Sequence, residues 1–550
     1  MKLVMSQDMK KIDEMAVNAH GLSLEKLMEA AGEAVAQAVE ERDGNLSKKT
    51  IAVLCGKGHN GGDGLVAARF LKDKKASVVA VAVGEPENLA EETLKQFLKT
   101  KAAKVPILVL ANSDGLKSIQ VALDECDLIV DALLGTGLSR PPDGLYRELI
   151  RMAKNLGKPV VAVDIPSGMS ADSGSPLGEV LPAQMTVTFG LPKLGFYSPV
   201  GSSLTGTVKI APIGFPEELL NASFIKQEIS DAAMVQKFMP KYDENTHKGT
   251  RGRVLIVAGA TGLTGAATLC AYGAQRIGAG LVTVACPESL NSILEVKLTE
   301  PMTAPVPEVE GGFLSLRATG RILNLATNVN AAIIGPGIGR HRETGQLLRD
   351  LLTKLTVPMV VDADALNLLG GQLDIFRAAK APVVITPHPG EAAWLLKTTI
   401  NEVEQNRVKV AQQIAEGYNV TVVLKGRFTV IANPQGEIRI NPTGNRALAT
   451  AGTGDVLSGI IGGLIAQRLS TFEAATAGCY LHGLAGERAG RRFGLDGVMA
   501  GDLLPILPRL LRRLKESQRE PLWPSQLNSK TNGTRSSSSS KSGSRASSTT

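Results

Sequence analysis

"TIAVLCGKGHNGGDGLVAARFLKD", Thr50 to Asp73, is the stretch whose reading decides the fold. Its first six residues form an apolar run of the length and type expected for a buried strand. Its last ten, from Gly64, read as the opening of a helix whose free N–H groups face an anion. The bend between them is rich in glycine, which permits close backbone approach. A strand turning through such a bend into a helix is the first step of a parallel α/β sheet. The bend does not end in the Lys and Ser/Thr of a P-loop. It carries His59, Asn60 and Asp63 among Gly56, Gly58, Gly61 and Gly62, so its ligand needs carboxamide and carboxylate groups.

The same alternation continues outward from this stretch. "LSLEKLMEAAGEAVAQAVEE" precedes it, with Ser23 as an N-cap and Leu24, Leu27, Met28, Ala31, Val35 and Val39 as one apolar stripe. Apolar strands follow at 77–83, 127–135, 159–168 and 185–190, mostly separated by helical stretches. The pattern loosens over 215–248 and restarts with strands at 253–260, 281–286, 331–337, 358–366, 382–391, 420–426 and 428–433. The expected fold is therefore α/β with two domains: a three-layer Rossmann-like α/β/α sandwich over residues 1–218, a linker over 219–245, and a second α/β domain over 246–515. A last helix is read at 503–514. The Ser-rich segment 516–550 reads as a disordered tail.

Three strands of the first half end in polar, glycine-containing loops: "GKGHNGGDG", "DALLGTGLSRPPDG" and "DIPSGMSADSG". Ligands of parallel sheets bind at the carboxyl ends of the strands, so these loops converge on one edge. Gly135, Thr136 and Gly137 form a second phosphate nest. Asp131 and Asp164 each follow an apolar strand directly; a carboxylate there is a metal ligand, an acid/base or a cap. Asn60, Asp131 and Ser167 together supply oxygen donors suited to a weakly held monovalent cation rather than zinc. Asp164 is then free to exchange protons.

These three loops, in this order and after "LMEAAG", resemble the NAD(P)H-hydrate epimerase family over roughly residues 1–215. The resemblance implies a substrate site at His59, Asn60, Gly61, Gly62 and Asp63. It implies phosphate contacts at Gly135, Thr136, Gly137, Leu138, Ser139, Arg140 and Pro141. It also implies a potassium ion (K+) at Asn60, Asp131 and Ser167, with Asp164 catalytic. His59 stands where the family commonly has Asn, and Ala30 departs from its "LMENAG".

In the second half, "NRALATAGTGDVLSGIIGGLIAQ" (445–467) leads glycines into a helix whose free N–H groups form an anion hole for a transferring phosphoryl group. Asp455, in the first turn, is placed to take a proton from a substrate hydroxyl. The arrangement resembles the ribokinase-like superfamily. With "GPGIGR", "VVDADALNLL", "ITPHPGE" and "VLKG", residues 240–512 are similar to the ADP-dependent NAD(P)H-hydrate dehydratases. This implies substrate contacts at Ala266, Gly337, His388 and Asp455. It places the adenine nucleotide at Lys425, Gly426, Arg427, Phe428, Thr429 and Gly454, with ADP as co-substrate and Mg2+. Glu391 either orients a magnesium-bound water or serves as a helix N-terminal charge.

The implied function is repair of hydrated NAD(P)H (NADHX and NADPHX): epimerisation of its R and S forms, then ADP-driven dehydration of the S form, yielding AMP and phosphate. Two other readings share these motifs. The second half could be a kinase for a vitamin-precursor alcohol, and the first a non-catalytic binding module. Bulk properties narrow the classes further. The net charge of +7 falls to about +3 once Lys530, Arg535, Lys541 and Arg545 of the tail are set aside, and aromatics are 4% of the chain, which argues against a nucleic-acid partner. No apolar run reaches membrane-span length, and the mean hydropathy of +0.06 is that of a globular chain. Five cysteines without a C-x-x-C pair fit a reducing, cytoplasmic setting. The expected assembly is a homo-oligomer, with a tetramer as the form to test.

Overall fold

The computed structural model describes residues 1–243 and 245–516; the Ser-rich tail lies outside the described residues. Thr50–Cys55 is a strand at the interior of a seven-stranded sheet. The order is 107–110, 77–83, 50–55, 128–132, 160–163, 185–189, 207–211, and every pairing is parallel. Alternate residues face opposite ways. Ile51, Val53 and Cys55 pack with Val35, Val39, Leu65 and Leu71 of the helices Leu24–Asp43 and His59–Asp73. Ala52 and Leu54 pack with Ile119, Leu123, Leu149 and Ile150 of the helices on the other face. Each fully buried aliphatic side chain contributes roughly 1.5–3 kcal/mol, so both faces must be covered, and the α/β/α layering follows. Ser23 caps the first of these helices, accepting from Lys26 N at 3.2 Å.

The second sheet has eleven strands, in the order 2–3, 227–229, 438–441, 429–432, 421–424, 383–385, 359–361, 331–334, 253–257, 281–287, 302–306. The run from 421–424 to 302–306 is parallel; 429–432 pairs antiparallel with both neighbours. Thr453–Ala466 is a helix buried on nearly all sides, as its continuous apolar sequence requires. It lies against Thr264–Arg276, where a Cβ on Gly459 would stand 2.1 Å from the Cys270 carbonyl oxygen. Glycine there sets the close crossing of the two helices.

The α/β architecture of both halves is as expected, but the second sheet is not built from the second half alone. Lys2–Leu3 pairs antiparallel with Gln227–Ile229, and that strand pairs with Ile438–Asn441. Val4 then bridges to Lys193, and Ser6 opens a helix that runs to Asn18. A second link between the halves is an edge-on contact of Tyr197 with Phe428, ring centroids 6.1 Å apart.

The strands at 2–3, 207–211, 227–229, 302–306 and 438–441 carried too weak an apolar signal to read, and Ile107–Leu110, though wholly apolar, is only four residues long. Most are short or lie at sheet edges, where one polar flank is tolerated. Pro305 sits in 302–306, which is the edge strand of its sheet. Several expected strands were too long: the one expected over 159–168 ends at Val163, and two others give way to helices. The one from Pro358 stops at Val361 and a helix starts at Asp364; the one from Pro382 stops at Ile385, and Pro389 opens a helix as Pro at N1 does. The glycine loop needs a similar correction. Its helix begins at His59, not Gly64, so Gly64 lies inside it and the free N–H groups are at the start of "HNGG". Among the described residues no helix is long and apolar enough to cross a membrane, and all five cysteines are free and buried.

Candidate active sites

The first site is a cavity of about 910 Å3 at the carboxyl edge of the seven-stranded sheet. His59, Asn60 and Asp63 line it from the glycine loop, and Gly135, Thr136, Gly137, Leu138 and Ser139 from the second loop. Asp164 lines it from the third. Gly61 and Gly62 do not face it. A Cβ on Gly61 would lie 1.9 Å from the Gly56 carbonyl oxygen, and one on Gly62 would meet the Met28 side chain at 3.0 Å. Gly61 is glycine because the bend packs on itself, and Gly62 packs against the Met28 side chain of the preceding helix. Gly56, Gly58 and Gly61 have the G-x-G-x-x-G spacing of dinucleotide loops. Arg140 and Pro141 are exposed beyond the cavity wall.

Asp131 and Ser167 lie beneath the cavity, both fully buried. Ser167 donates from Oγ to Asp131 Oδ1 at 2.6 Å and from its backbone N–H to Oδ2 at 2.8 Å. Leu134 N–H donates to Ser167 Oγ at 2.9 Å, which ties the second loop to the third. Burial pushes the Asp131 carboxyl up to about 6 against the lowering of these hydrogen bonds. The Asn60 amide nitrogen is buried without a hydrogen-bond partner, and a Cβ on Gly135 would lie 3.2 Å from the Asn60 Cβ. The three residues expected to hold a cation are thus linked through neighbouring loop residues.

Asp164 has a positive φ of 64°, rare for a residue with a Cβ and characteristic of functional positions. Its carboxylate is over-determined. Thr188 Oγ1 donates to Oδ1 at 3.0 Å, and Lys193 Nζ forms a short ion pair with the same oxygen. Lys193 is the largest fully buried side chain in the molecule and also donates to Thr188 Oγ1 at 2.8 Å. The sequence reading did not single out Lys193; "LPKLGF", a lysine set in an apolar segment, was its only signal.

The second site forms where the Thr453–Ala466 helix begins. Gly452, with φ 89°, turns the chain so that the first-turn N–H groups point outward. Asp455 sits in that turn. Burial, followed by the neighbouring Asp362 carboxylate, pushes Asp455 up to about 7, with Lys425 pulling the other way. Asp362 is buried and accepts from Lys425 Nζ at 2.8 Å and from Ser458 Oγ at 2.6 Å. Burial alone would raise its carboxyl, but the Lys425 ammonium and these hydrogen bonds hold it below the usual carboxylate range. Asp362 was not singled out from the sequence, although it follows an apolar strand directly as Asp164 does; Asp131, expected to follow its strand, is instead its fourth residue.

Lys425 therefore points inward, while the rest of its loop is held from behind. Buried Arg407 donates from Nη2 to the Leu424 and Lys425 carbonyls, both at 3.0 Å, and pairs with Glu404. Gly426 and Phe428 take positive φ, and Thr429 Oγ1 donates to the Gly426 carbonyl at 2.9 Å. Arg427 lies over the Phe428 ring. Gly454 faces this loop: a Cβ there would stand 3.6 Å from Lys425 Nζ. Gly337 and Ala266 are in contact, since a Cβ on Gly337 would lie 3.0 Å from the Ala266 Cβ.

His388 is the N-cap of Pro389–Leu396. Its Nδ1 accepts from Gly390 and Glu391 N–H, and the Glu391 carboxylate accepts from His388 N–H at 2.8 Å. This capping box assigns Glu391 to the helix terminus. Burial and Lys425 lower the His388 proton affinity, so the ring is neutral near pH 7. Its Nε2 lies 3.6 Å from Glu391 and the side chain is 56% exposed, leaving one face open to a ligand.

Fold and sites define a two-centre α/β enzyme: one centre is an acid/base cavity, the other a helix N-terminus with a carboxylate near neutrality. Residues 24–195 match the family described as YjeF-related protein N-terminus, and residues 254–509 the family described as NAD(P)H-hydrate dehydratase. The Bifunctional NAD(P)H-hydrate repair enzyme Nnr of Moorella thermoacetica is 42% identical over 517 residues, covering 94% of this chain and 98% of that protein. The protein of the same name from Escherichia coli is 36% identical over 507 residues, covering 92% and 93%. A solved ADP/ATP-dependent NAD(P)H-hydrate dehydratase from Bacillus subtilis, co-crystallized with ATP/Mg2+, is 30% identical. It covers 52% of this chain and 98% of its own, with a TM-score of 0.45. The chain belongs to the bifunctional NAD(P)H-hydrate repair enzymes.

Proposed function

We propose that the second site dehydrates hydrated NADH or NADPH by phosphorylating it from ADP, and that the first site interconverts the two epimers of the hydrate. Asp455 carries the first half of this reading. It is a carboxylate near neutrality at the mouth of a helix N-terminus, the combination phosphoryl transfer to an alcohol requires. Asp455 takes the proton from the substrate hydroxyl as that oxygen attacks the terminal phosphoryl group of ADP. AMP leaves, and the helix N–H groups and Lys425 offset the charge. The lone pair of the ring nitrogen then expels phosphate, leaving an iminium ion, and loss of a proton from the adjacent ring carbon to the departing phosphate restores the dihydropyridine. Ala266, Gly337 and His388 are assigned to the hydrate; Lys425–Thr429 and Gly454 are assigned to the nucleotide. Magnesium would be held mainly by the nucleotide phosphates; among the described residues no group of three or more His, Cys, Asp or Glu side chains is placed to hold a metal ion.

In the first site Asp164 moves protons at the hydroxyl-bearing carbon, and the Gly135–Ser139 loop receives phosphate. A potassium ion fits Asn60, Asp131 and Ser167. The candidate donors are all oxygen, and one is a buried carboxylate with no cationic partner among the described residues. When bound, the ion would supply countercharge to Asp131 and fix the two loops that Ser167 joins.

The test is direct: hydrated NADH is mixed with the full chain and ADP, and NADH absorbance is followed. Complete conversion of an epimer mixture supports both halves. Conversion of only one epimer removes the epimerase assignment, and no recovery at all removes the dehydratase assignment.

A further inference from the structure

The cavity wall includes a helix that neither loop chemistry nor the matched families cover. Ser6–Asn18 lies before residue 24, where the first family match begins. It is fastened at its start. Val4 donates to the Pro192 carbonyl at 3.1 Å and accepts from Leu194 N–H at 2.9 Å. Ser6 donates from N–H and Oγ to the Asp172 carboxylate at 2.6 and 2.9 Å. Lys2–Leu3 is locked into the other sheet. A helix held at three points presents a side chain with the precision a reacting group needs. Among the side chains it presents to the cavity are two carboxylates, Glu14, which pairs with Lys10 at 3.9 Å, and Asp13, which lies beside Asp164 and Lys193. No hydrogen bond or ion pair reaches the Asp13 carboxyl among the described residues, whereas the Asp164 carboxylate is committed to Lys193 and Thr188.

Epimerisation of this substrate needs two proton-transfer groups. Hydrating an enamine places the hydroxyl on the carbon bonded to nitrogen, so the hydrate is a hemiaminal. Its stereocentre inverts by ring opening and reclosure. We propose that Asp13 is the second catalytic residue of the epimerase site, acting as the acid on the ring nitrogen while Asp164 acts as the base on the hydroxyl. This rests on the assignment of Asp164 made above. Asp164 takes the hydroxyl proton, the carbonyl forms, and the carbon–nitrogen bond breaks with its electron pair going to nitrogen. The nitrogen receives the Asp13 proton. Rotation presents the other carbonyl face; the nitrogen returns its proton to Asp13 as it closes, and the alkoxide takes the proton back from Asp164. Nothing is oxidised and no proton is consumed.

The electrostatics separate Asp13 from the other unpaired carboxyl in the cavity. Burial, then the Asp164 carboxylate, pushes Asp13 up to about 7, with Lys193 opposing and Glu14 of its own helix adding. It can therefore both give and take a proton near neutrality. Asp63, which faces it from the glycine-loop helix, is driven well above the carboxylate range by burial and by Asp164 and Asp13. Lys10 and His59 are the remaining charged or titratable groups on the same wall that bear on Asp13.

The experiment uses the full chain and the separated R epimer of hydrated NADH, with the epimer ratio read by chromatography. Dehydration of the S epimer on the same preparation reports that the protein is folded. Asp13→Asn is expected to lower the kcat of epimerisation at least about 100-fold, with KM within about threefold and S dehydration unchanged. Asp13→Glu, which keeps the acid, is expected to recover at least about a tenth of the wild-type rate, and the fall in wild-type rate above pH about 7 to be absent from Asp13→Asn. If Asp13→Asn epimerises within about threefold of wild type while Asp164→Asn is inactive, the role of Asp13 is overturned. If Asp164→Asn retains the wild-type rate, the underlying assignment of Asp164 fails instead. Should Asp13→Asn also lose S dehydration, Asp13→Glu decides alone: intact S dehydration with an epimerisation rate below about a hundredth of wild type would overturn the proposal.

Discussion

Asp362→Asn tests the electrostatics of the dehydratase site more sharply than removing Asp455 itself. The change keeps the shape of a 1% exposed side chain and deletes its charge. Two consequences follow from the contacts. The Lys425 ammonium, 2.8 Å from the lost carboxylate and part-buried, is left with Glu391 at 3.9 Å and the more distant Asp455. Stranding one member of a buried pair costs about 3–5 kcal/mol. Asp362 is held below the usual carboxylate range in the fold, so its contribution is present above the unfolded value of 3.8 and is lost as pH falls through the folded one. The gap in stability between wild type and variant is thus widest near neutrality and narrows in acid. The second consequence concerns Asp455, whose proton affinity the Asp362 charge raises after burial has done so. Deleting that charge is expected to lower the affinity about tenfold, worth ~1.4 kcal/mol. Dehydration should depend on ionised Asp455 and rise with pH through about 7 in wild type. In the variant the rise should occur at lower pH, with a reduced plateau from the disturbed Lys425. The assay is NADH absorbance recovered from the S hydrate and ADP across pH, with urea denaturation in parallel. A variant whose rate rises at the wild-type pH refutes the coupling of Asp362 to Asp455. Unchanged urea stability refutes the structural weight of the Lys425 pair.

Three further outcomes are expected. Asp131→Asn removes the buried carboxylate beneath the first cavity; wild-type melting temperature should rise when potassium replaces tetramethylammonium and the variant's should not, and equal rises in both would remove the ion from this site. Arg407→Met should cost about 3 kcal/mol in urea denaturation, since it leaves Glu404 and two carbonyls without their donor, and should weaken ADP binding measured by calorimetry at least about tenfold. Unchanged ADP affinity would free the Lys425–Thr429 loop from the nucleotide. Tyr197→Ala removes the edge-on contact with Phe428 and should destabilise by about 1 kcal/mol beyond the lost burial, a surplus that vanishes in a Phe428→Ala background if the contact is its source.

Much of both sites was legible because the chain writes them as strand, polar loop, helix. Asp131, Asp164 and Asp455 are each adjacent to an element boundary that apolar patterning marks. Gly337 and Ala266 were placed at the substrate and lie in contact. What escaped reading were groups whose meaning depends on a distant partner. Lys193 is 29 residues from Asp164, and Asp362 is 63 residues from Lys425; only folding brings each pair together. Gly61 packs its bend against the Gly56 carbonyl, a close approach that the motif alone did not show. His388 is also a helix cap, a second task that its sequence position did not reveal.

The sequence by itself determined the two α/β units, their glycine loops and the edge on which each site sits, because strand and helix periodicity and the rule of carboxyl-edge binding are local. It could not determine which charges are paired, how strongly each is desolvated, or that residues 2–18 cross from one sheet to the cavity of the other. Those depend on burial and on distance through space. A carboxylate becomes an acid near neutrality only when the tertiary structure removes water from it and places a like charge beside it, as it does for Asp13 and Asp455.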